Sequence, residues 1–256
     1  PAALPFYSCK AKRRLIVGSN RAGKTCHACA EIARIVRGLH PRIPRTNGKM
    51  LCVGLDEEHI APNMWEKLTL PGLFKLVPDE ITGLPRAVRP DPLNPTLIDP
   101  IDLARKELWY PAPPFIPESE YDYDGGIVWR DKAKNCPGMV KIRSTGWRMW
   151  FYPSGGHPRR GIDVDFAWFD EEVAQTLWFT ETMPRLVDRG GSFLWSATPQ
   201  TDTEELLKIH RRFENGDPDV AEFSLKLDDN PYQSPEDKQR LYNDLKDYGD
   251  EVLQVR

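Results

Sequence analysis

Hydrophobic positions along the chain fall into two kinds of stretch: short unbroken apolar runs, and longer segments with helical spacing. Residues 14–18 form a β-rich apolar run ending in Gly18. After a short polar interval, residues 26–37 set Ala28, Ile32, Ile35 and Val36 at helical spacing, and Gly38 and Pro41 stop the pattern. Residues 50–54 read as a second buried strand. Strand, loop, helix and strand in that order predict a βαβ unit, and with it a parallel sheet. Further along, 139–144 and 147–152 predict a hairpin around Thr145 and Gly146, and 164–169 and 193–197 read as buried strands. Helical spacing recurs over 176–188 and 202–215, each followed by glycine, and over the polar stretch 235–256, which is broken near Gly249. There is no internal repeat and no heptad run.

Composition changes this picture in one place. The 256 residues are 40% hydrophobic and 29% charged, ordinary for a soluble globular chain, but 24 are proline. Ten of those lie between Pro78 and Pro117, which excludes a regular helix or central strand there and predicts an irregular surface insertion. Residues 101–108 are its one short helical candidate. No apolar run approaches the ~20 residues of a membrane helix, and the first residues lack the features of a signal peptide. The chain begins at Pro1, without an initiator Met, and reads as a trimmed piece. Five scattered cysteines do not suggest a disulfide framework and predict a reducing, intracellular setting. Cys26 and Cys29 form a CxxC, but no second pair completes a zinc site. Charge is uneven. Residues 1–50 carry eleven Lys and Arg against Glu31 alone, whereas 201–256 carry fifteen acids against eight bases. A basic N-terminal fifth suits a polyanion, either nucleotide phosphates or nucleic acid, or else a solvated face neutralised by the acidic end.

The chemistry concentrates between the first strand and helix. Gly18, Ser19, Asn20, Arg21, Ala22, Gly23, Lys24 and Thr25 match the phosphate-loop pattern GxxxxGK[ST]. Backbone N–H groups converge on phosphate there, glycine permits the tight turn, and the following helix aims its positive end at the anion. Lys24 supplies charge to the β- and γ-phosphates, and Thr25 can ligate Mg²⁺. Such a loop needs an acid on a neighbouring strand. The run 164–169 leads into Asp170, a metal-holding carboxylate, and Glu171, placed to polarise the attacking water, with Glu172 competing for that role. Ser196 and Thr198 follow the next buried strand, where small hydroxyls would face a γ-phosphate.

Together these motifs resemble the ATPase domain of viral (bacteriophage) terminase large subunits, over roughly 6–54 and 140–200. The resemblance rests on the arginine inside the phosphate loop, the aromatic strand into Asp170-Glu171-Glu172, the Ser196-Ala197-Thr198-Pro199 run, and Arg160-Gly161 shortly before the acidic strand. It implies that Arg21 reaches the γ-phosphate, that Ser196 and Thr198 couple hydrolysis to movement, and that Arg160, or else Arg159, is an arginine finger toward a neighbouring subunit's nucleotide. The family's adenine-reading glutamine has no counterpart near Phe6 and Tyr7, either of which could stack on the base or else pack in the core. The implied fold is an α/β P-loop NTPase of the ASCE/RecA-like class, a mostly parallel sheet flanked by helices. Its core would span 1–200, with 201–256 a small lid subdomain and a linker to an absent nuclease domain. The implied function is an ATP-hydrolysing motor that needs Mg²⁺ and moves double-stranded DNA into a procapsid. Its partners would be the portal, the small terminase subunit and copies of itself in a ring, in the host cytoplasm. A helicase-like translocase, or a nucleotide-gated DNA- or capsid-binding module with little turnover, are the alternatives.

Overall fold

The computed structural model describes residues 4–158, 161, 163–198 and 204–246. A short helix α1 (Leu4–Ser8) precedes strand β1 (Arg13–Gly18) and helix α2 (Lys24–Val36), after which β2 (Lys49–Gly54) closes the expected βαβ unit. The chain then turns through α3 (Glu57–His59), a π-helical stretch Ile60–Trp65 and α4 (Glu66–Thr69). Next come β3 (Lys75–Pro78), β4 (Pro85–Ala87), α5 (Pro100–Ala104) and β5 (Tyr110–Pro111). The strands β6 (Ile127–Asp131), β7 (Cys136–Lys141), β8 (Arg148–Pro153) and β9 (Phe166–Asp170) lead to α6 (Leu177–Asp188), β10 (Ser192–Ala197), α7 (Glu204–Glu214), β11 (Val220–Leu225) and α8 (Pro235–Lys246).

Among the described residues, one eight-stranded sheet has the order β11-β1-β10-β9-β2-β8-β7-β6. Its first six strands are mutually parallel, and β7 and β6 add an antiparallel edge. The central strands read as continuous apolar runs because both faces are covered. Along β9, Phe166 and Trp168 enter the core shared with α2, while Ala167 and Phe169 enter the core on the opposite face, with Trp178 and Leu186 of α6. Leu15 and Ile16 of β1 divide in the same way. The alternation follows from the two-residue period of a strand.

Two expectations are corrected here. The division at residue 200 does not separate a lid from the core, because β11 pairs with β1 along its whole length and α7 packs on the same sheet through Leu206 and Ile209. The edge is closed by Gly18. At φ 148° its Cα lies so near β11 that a methyl group there would fall 1.8 Å from the Leu225 carbonyl oxygen. Gly18→Ala is therefore expected to push β11 off β1 and to cost about 1–3 kcal/mol, as overpacking does, seen as a lowered denaturant midpoint.

The proline-rich stretch is not simply irregular either. β3, β4 and β5 form a small antiparallel sheet, with Pro78, Pro85 and Pro111 at strand ends where the missing N–H is tolerated. An ionic cluster accompanies the buried Val77 and Val88 there. Arg86 grips the buried Asp102 with two guanidinium nitrogens at 2.7 and 2.8 Å. That paired geometry, together with the Arg89 amide at 2.7 Å, holds the Asp102 carboxyl below its usual range.

Candidate functional site

The strand order fixes which residues meet. Adjacent parallel strands β1, β10, β9 and β2 all end at the same edge of the sheet, with Val17 beside Ala197, Ser196 beside Asp170 and Val53 beside Phe169. In an open parallel sheet, ligands bind outside these carboxyl ends. The four exits carry, in turn, the phosphate loop, Thr198, Asp170 with Glu171, and the helical turn that begins after Gly54.

A cavity of about 630 Å³ opens there, lined by Asn20, Arg21, Lys24, Thr25, His59 and Glu171 among others. Gly23, at φ 92°, takes the left-handed turn that starts α2, and Arg21 also sits in the left-handed region at φ 62°. Lys24 is buried. Its Nζ donates to the Ser19 carbonyl at 2.9 Å and to Thr198 Oγ1 at 2.8 Å. Burial lowers the Lys24 pKa, and the nearby carboxylates of Glu171 and Asp170 draw it part of the way back.

Thr198 is the hub of the site. Besides Lys24, its hydroxyl lies 3.2 Å from Asn20 Oδ1 and 3.2 Å from Glu171 Oε1, and its amide donates to Glu171 Oε2 at 2.8 Å. Glu171 is the residue of the acidic pair that lines the cavity. Its backbone is held at φ 61° by an N–H bond to the Ser196 carbonyl at 2.7 Å and by the Trp195 indole, which donates to its carbonyl at 2.8 Å. A non-glycine residue at positive φ carries strain of order 1 kcal/mol or more, and such strain concentrates at functional sites. Ser196 donates to Asp170 Oδ1 and accepts from the Trp168 indole at 3.0 Å.

Phe6 and Tyr7 do not line this cavity. Phe6 is 1% exposed and packs edge-on against Phe223 of β11, and the Tyr7 hydroxyl is bonded to His27 Nδ1 at 2.8 Å. Burial lowers the His27 pKa to about 4, which keeps the ring neutral and able to share that bond. Of the two readings open for this pair, Phe6 follows core packing, and Tyr7 contacts α2. Arg159 and Arg160 lie outside the described residues. Sequence reasoning missed His59, Asn63 and Lys67 on the cavity wall, Gln233 beside them, and Asn230, whose amide donates to the Arg21 carbonyl at 2.7 Å. None of the five belongs to a recognisable motif.

An anion with a hard cation fits the residues present. Ser19 Oγ is buried in the loop with no hydrogen-bond partner, Lys24 brings a buried positive charge, and Thr25 and Asp170 contribute the oxygen donors that suit Mg²⁺. No helix among the described residues is long and apolar enough to cross a membrane.

No family model and no curated protein matches the sequence. Solved structures do. The large terminase ATPase domain of Thermus phage P74-26 superposes with a TM-score of 0.53 at 15% identity, covering 100% of this chain and 91% of that one. The HK97 bacteriophage large terminase gives 0.54 at 11% identity over 96% of this chain and 47% of its own. The large terminase of a thermophilic bacteriophage, in complex with ATP-gamma-S, gives 0.52 at 12% identity over 92% and 44%. The chain spans less than half the length of the last two. The fold, a mostly parallel sheet flanked by helices, is the one these solved structures share.

Proposed function

We propose that this chain is the ATPase motor domain of a viral DNA-packaging terminase, hydrolysing ATP to drive double-stranded DNA into a procapsid. The observation that carries the reading is the meeting of Lys24, Thr198 and Glu171 at one sheet edge, in hydrogen-bond contact, with Lys24 and Glu171 on the wall of one cavity. Lys24 and Arg21 neutralise the phosphate tail, and the loop amides cradle it. Thr25 and Asp170 would hold Mg²⁺, which when bound offsets charge on the β- and γ-phosphates. Glu171 orients the attacking water and takes its proton. Its carboxylate is held by Thr198, the residue that also contacts Lys24, so a change at the γ-phosphate reaches β10 through one hydroxyl. That is the physical content of the coupling role for Ser196 and Thr198. Arg160, or else Arg159, completes the site from a neighbouring subunit, since a guanidinium stabilises charge on the transferred phosphoryl group. Duplex DNA, the portal and procapsid, the small terminase subunit and copies of the chain in a ring are the partners, in the host cytoplasm.

The test is packaging. Assembled subunits supplied with procapsids, linear duplex and Mg-ATP are expected to release phosphate and to render DNA resistant to nuclease. Tight ATP binding without phosphate release under these conditions would overturn the motor in favour of a nucleotide-gated binding module.

A further inference from the structure

The helical turn after β2 carries a polar ladder that no motif announces. Lys67 Nζ lies 3.3 Å from Asn63 Oδ1, Asn63 Nδ2 lies 3.4 Å from His59 Nδ1, and His59 Nε2 lies 2.9 Å from Asp170 Oδ2. The three side chains line the same cavity as Lys24 and Thr25. Donors and acceptors agree along the whole chain. The lysine can only donate, so Asn63 accepts through its oxygen and presents its NH₂ to His59. Nδ1 of the ring must then accept, which leaves the proton on Nε2, directed at the carboxylate. The other oxygen of Asp170 is held by Ser196, itself fixed by Trp168. Both oxygens of the metal-holding carboxylate are therefore anchored, one from β10 and one from this turn.

The local sequence explains why the ladder stays aligned. Polar His59, Asn63 and Lys67 and buried Ile60, Met64 and Leu68 both recur every four residues. Residues four apart share one face of an α-helix but drift by about 40° at each step. The π-helical stretch Ile60–Trp65 is wider, and it keeps both stripes in place. Pro62 lies inside it, where its missing N–H disfavours a regular α ladder. Two devices set the start. The Asp56 side chain accepts the His59 amide at 2.7 Å, and Gly54 lets the turn pack close on β2, since a methyl group there would lie 2.8 Å from Ile60 Cγ1 and Met64 Sδ and 3.1 Å from His59 Cδ2.

We propose that His59, with its tautomer set by Asn63 and Lys67, is the positioning residue for Asp170, fixing the carboxylate for the Mg²⁺ that accompanies ATP. The inference rests on the ATPase reading of the site. Outer partners of metal ligands act in this way, and their loss typically costs 10–100-fold in metal affinity. His59 touches neither the phosphates nor the attacking water in this assignment, so its effect belongs to the metal dependence of binding.

The experiment titrates Mg²⁺ against binding of a fluorescent ATP analogue to the whole chain, with no turnover involved. His59→Ala is expected to raise the half-saturating Mg²⁺ concentration at least 10-fold. His59→Gln, which can still donate, should recover part of the shift, and Asn63→Ala should reproduce a smaller one. An unchanged or lowered Mg²⁺ requirement in His59→Ala, with thermal stability retained, overturns the proposal. A second measurement is independent of nucleotide. The ¹⁵N resonances of the His59 ring should report an Nε2–H tautomer that is lost in Asn63→Ala, and a ring indifferent to that change also overturns it. If wild-type protein binds no Mg-ATP, the ATPase reading falls, and the ring resonances still decide whether His59 is held against Asp170 as described.

Discussion

Replacing Glu171 by glutamine is expected to lower ATP turnover by roughly 10²–10⁴-fold, the usual worth of a positioned general base, while nucleotide affinity stays close to that of the wild type. The amide keeps one oxygen to accept from the Thr198 amide, and the backbone, pinned by Ser196 and Trp195, has no reason to move. The geometry of the site is preserved and only the proton acceptor is lost. A fall in kcat with an unchanged dissociation constant is the signature of an interaction made in the transition state alone. Glu172→Gln is the control. Its side chain is not on the cavity wall, and its turnover should stay within a few-fold of wild type. Equal losses from both variants, or turnover retained in Glu171→Gln, would remove Glu171 as the base.

The residues that sequence alone identified share a property. The phosphate loop is a fixed spacing whose residue types are each demanded by the chemistry, and the central strands are covered on both faces, so they read as unbroken apolar runs. What escaped was decided by partners remote in sequence. β11, Val220–Leu225, carries Glu222 and Ser224 because it lies at the sheet edge, and it looks polar until its pairing with β1 is known. The small sheet around β3 is tied to α5 by Arg86 and Asp102, sixteen residues apart, a pairing that no apolar period announces. His59 is an ordinary histidine until the order β9-β2 brings it to Asp170, 111 residues away. The basic N-terminal fifth reads differently as well. Arg14 and Arg34 both neutralise Glu31, Lys49 pairs with Asp163, and Lys24 belongs to the phosphate loop, so four of the eleven basic residues are used inside the domain, while Lys10, Lys12, Arg21, Arg37, Arg42 and Arg45 stay exposed.

The same Glu31 makes the second strong prediction. It is fully buried on α2, with Arg14 of β1 at 2.6 Å, Arg34 at 2.9 Å and the His40 ring at 3.2 Å. The Arg14 guanidinium also covers the Phe6 ring, 4.9 Å from its centre. This cluster joins the two elements on either side of the phosphate loop, so it bears on function through the spacing of β1 and α2. Arg14→Ala strands a buried carboxylate with less compensation, and losses of about 3–5 kcal/mol are typical when one partner of a buried pair is removed. For a domain of this size that corresponds to a melting temperature lowered by roughly 10 °C. Replacing both Arg14 and Glu31 by apolar residues of similar size should cost far less, because no charge is left unpaired. The pH dependence follows. Burial by itself raises the Glu31 pKa, but the hydrogen bonds and charges of His40 and Arg14 outweigh it and hold the carboxyl below its ordinary value of 4.5. A carboxyl whose pKa is depressed on folding stabilises the fold fully above its unfolded value, and that stability is lost as pH falls through the folded one. Wild-type protein should therefore lose this contribution below about pH 4.5, whereas Arg14→Ala, lacking much of it, should show a flatter stability profile over the same acid range. Equal slopes in denaturant titrations of the two proteins there would show that Glu31 is not held by Arg14.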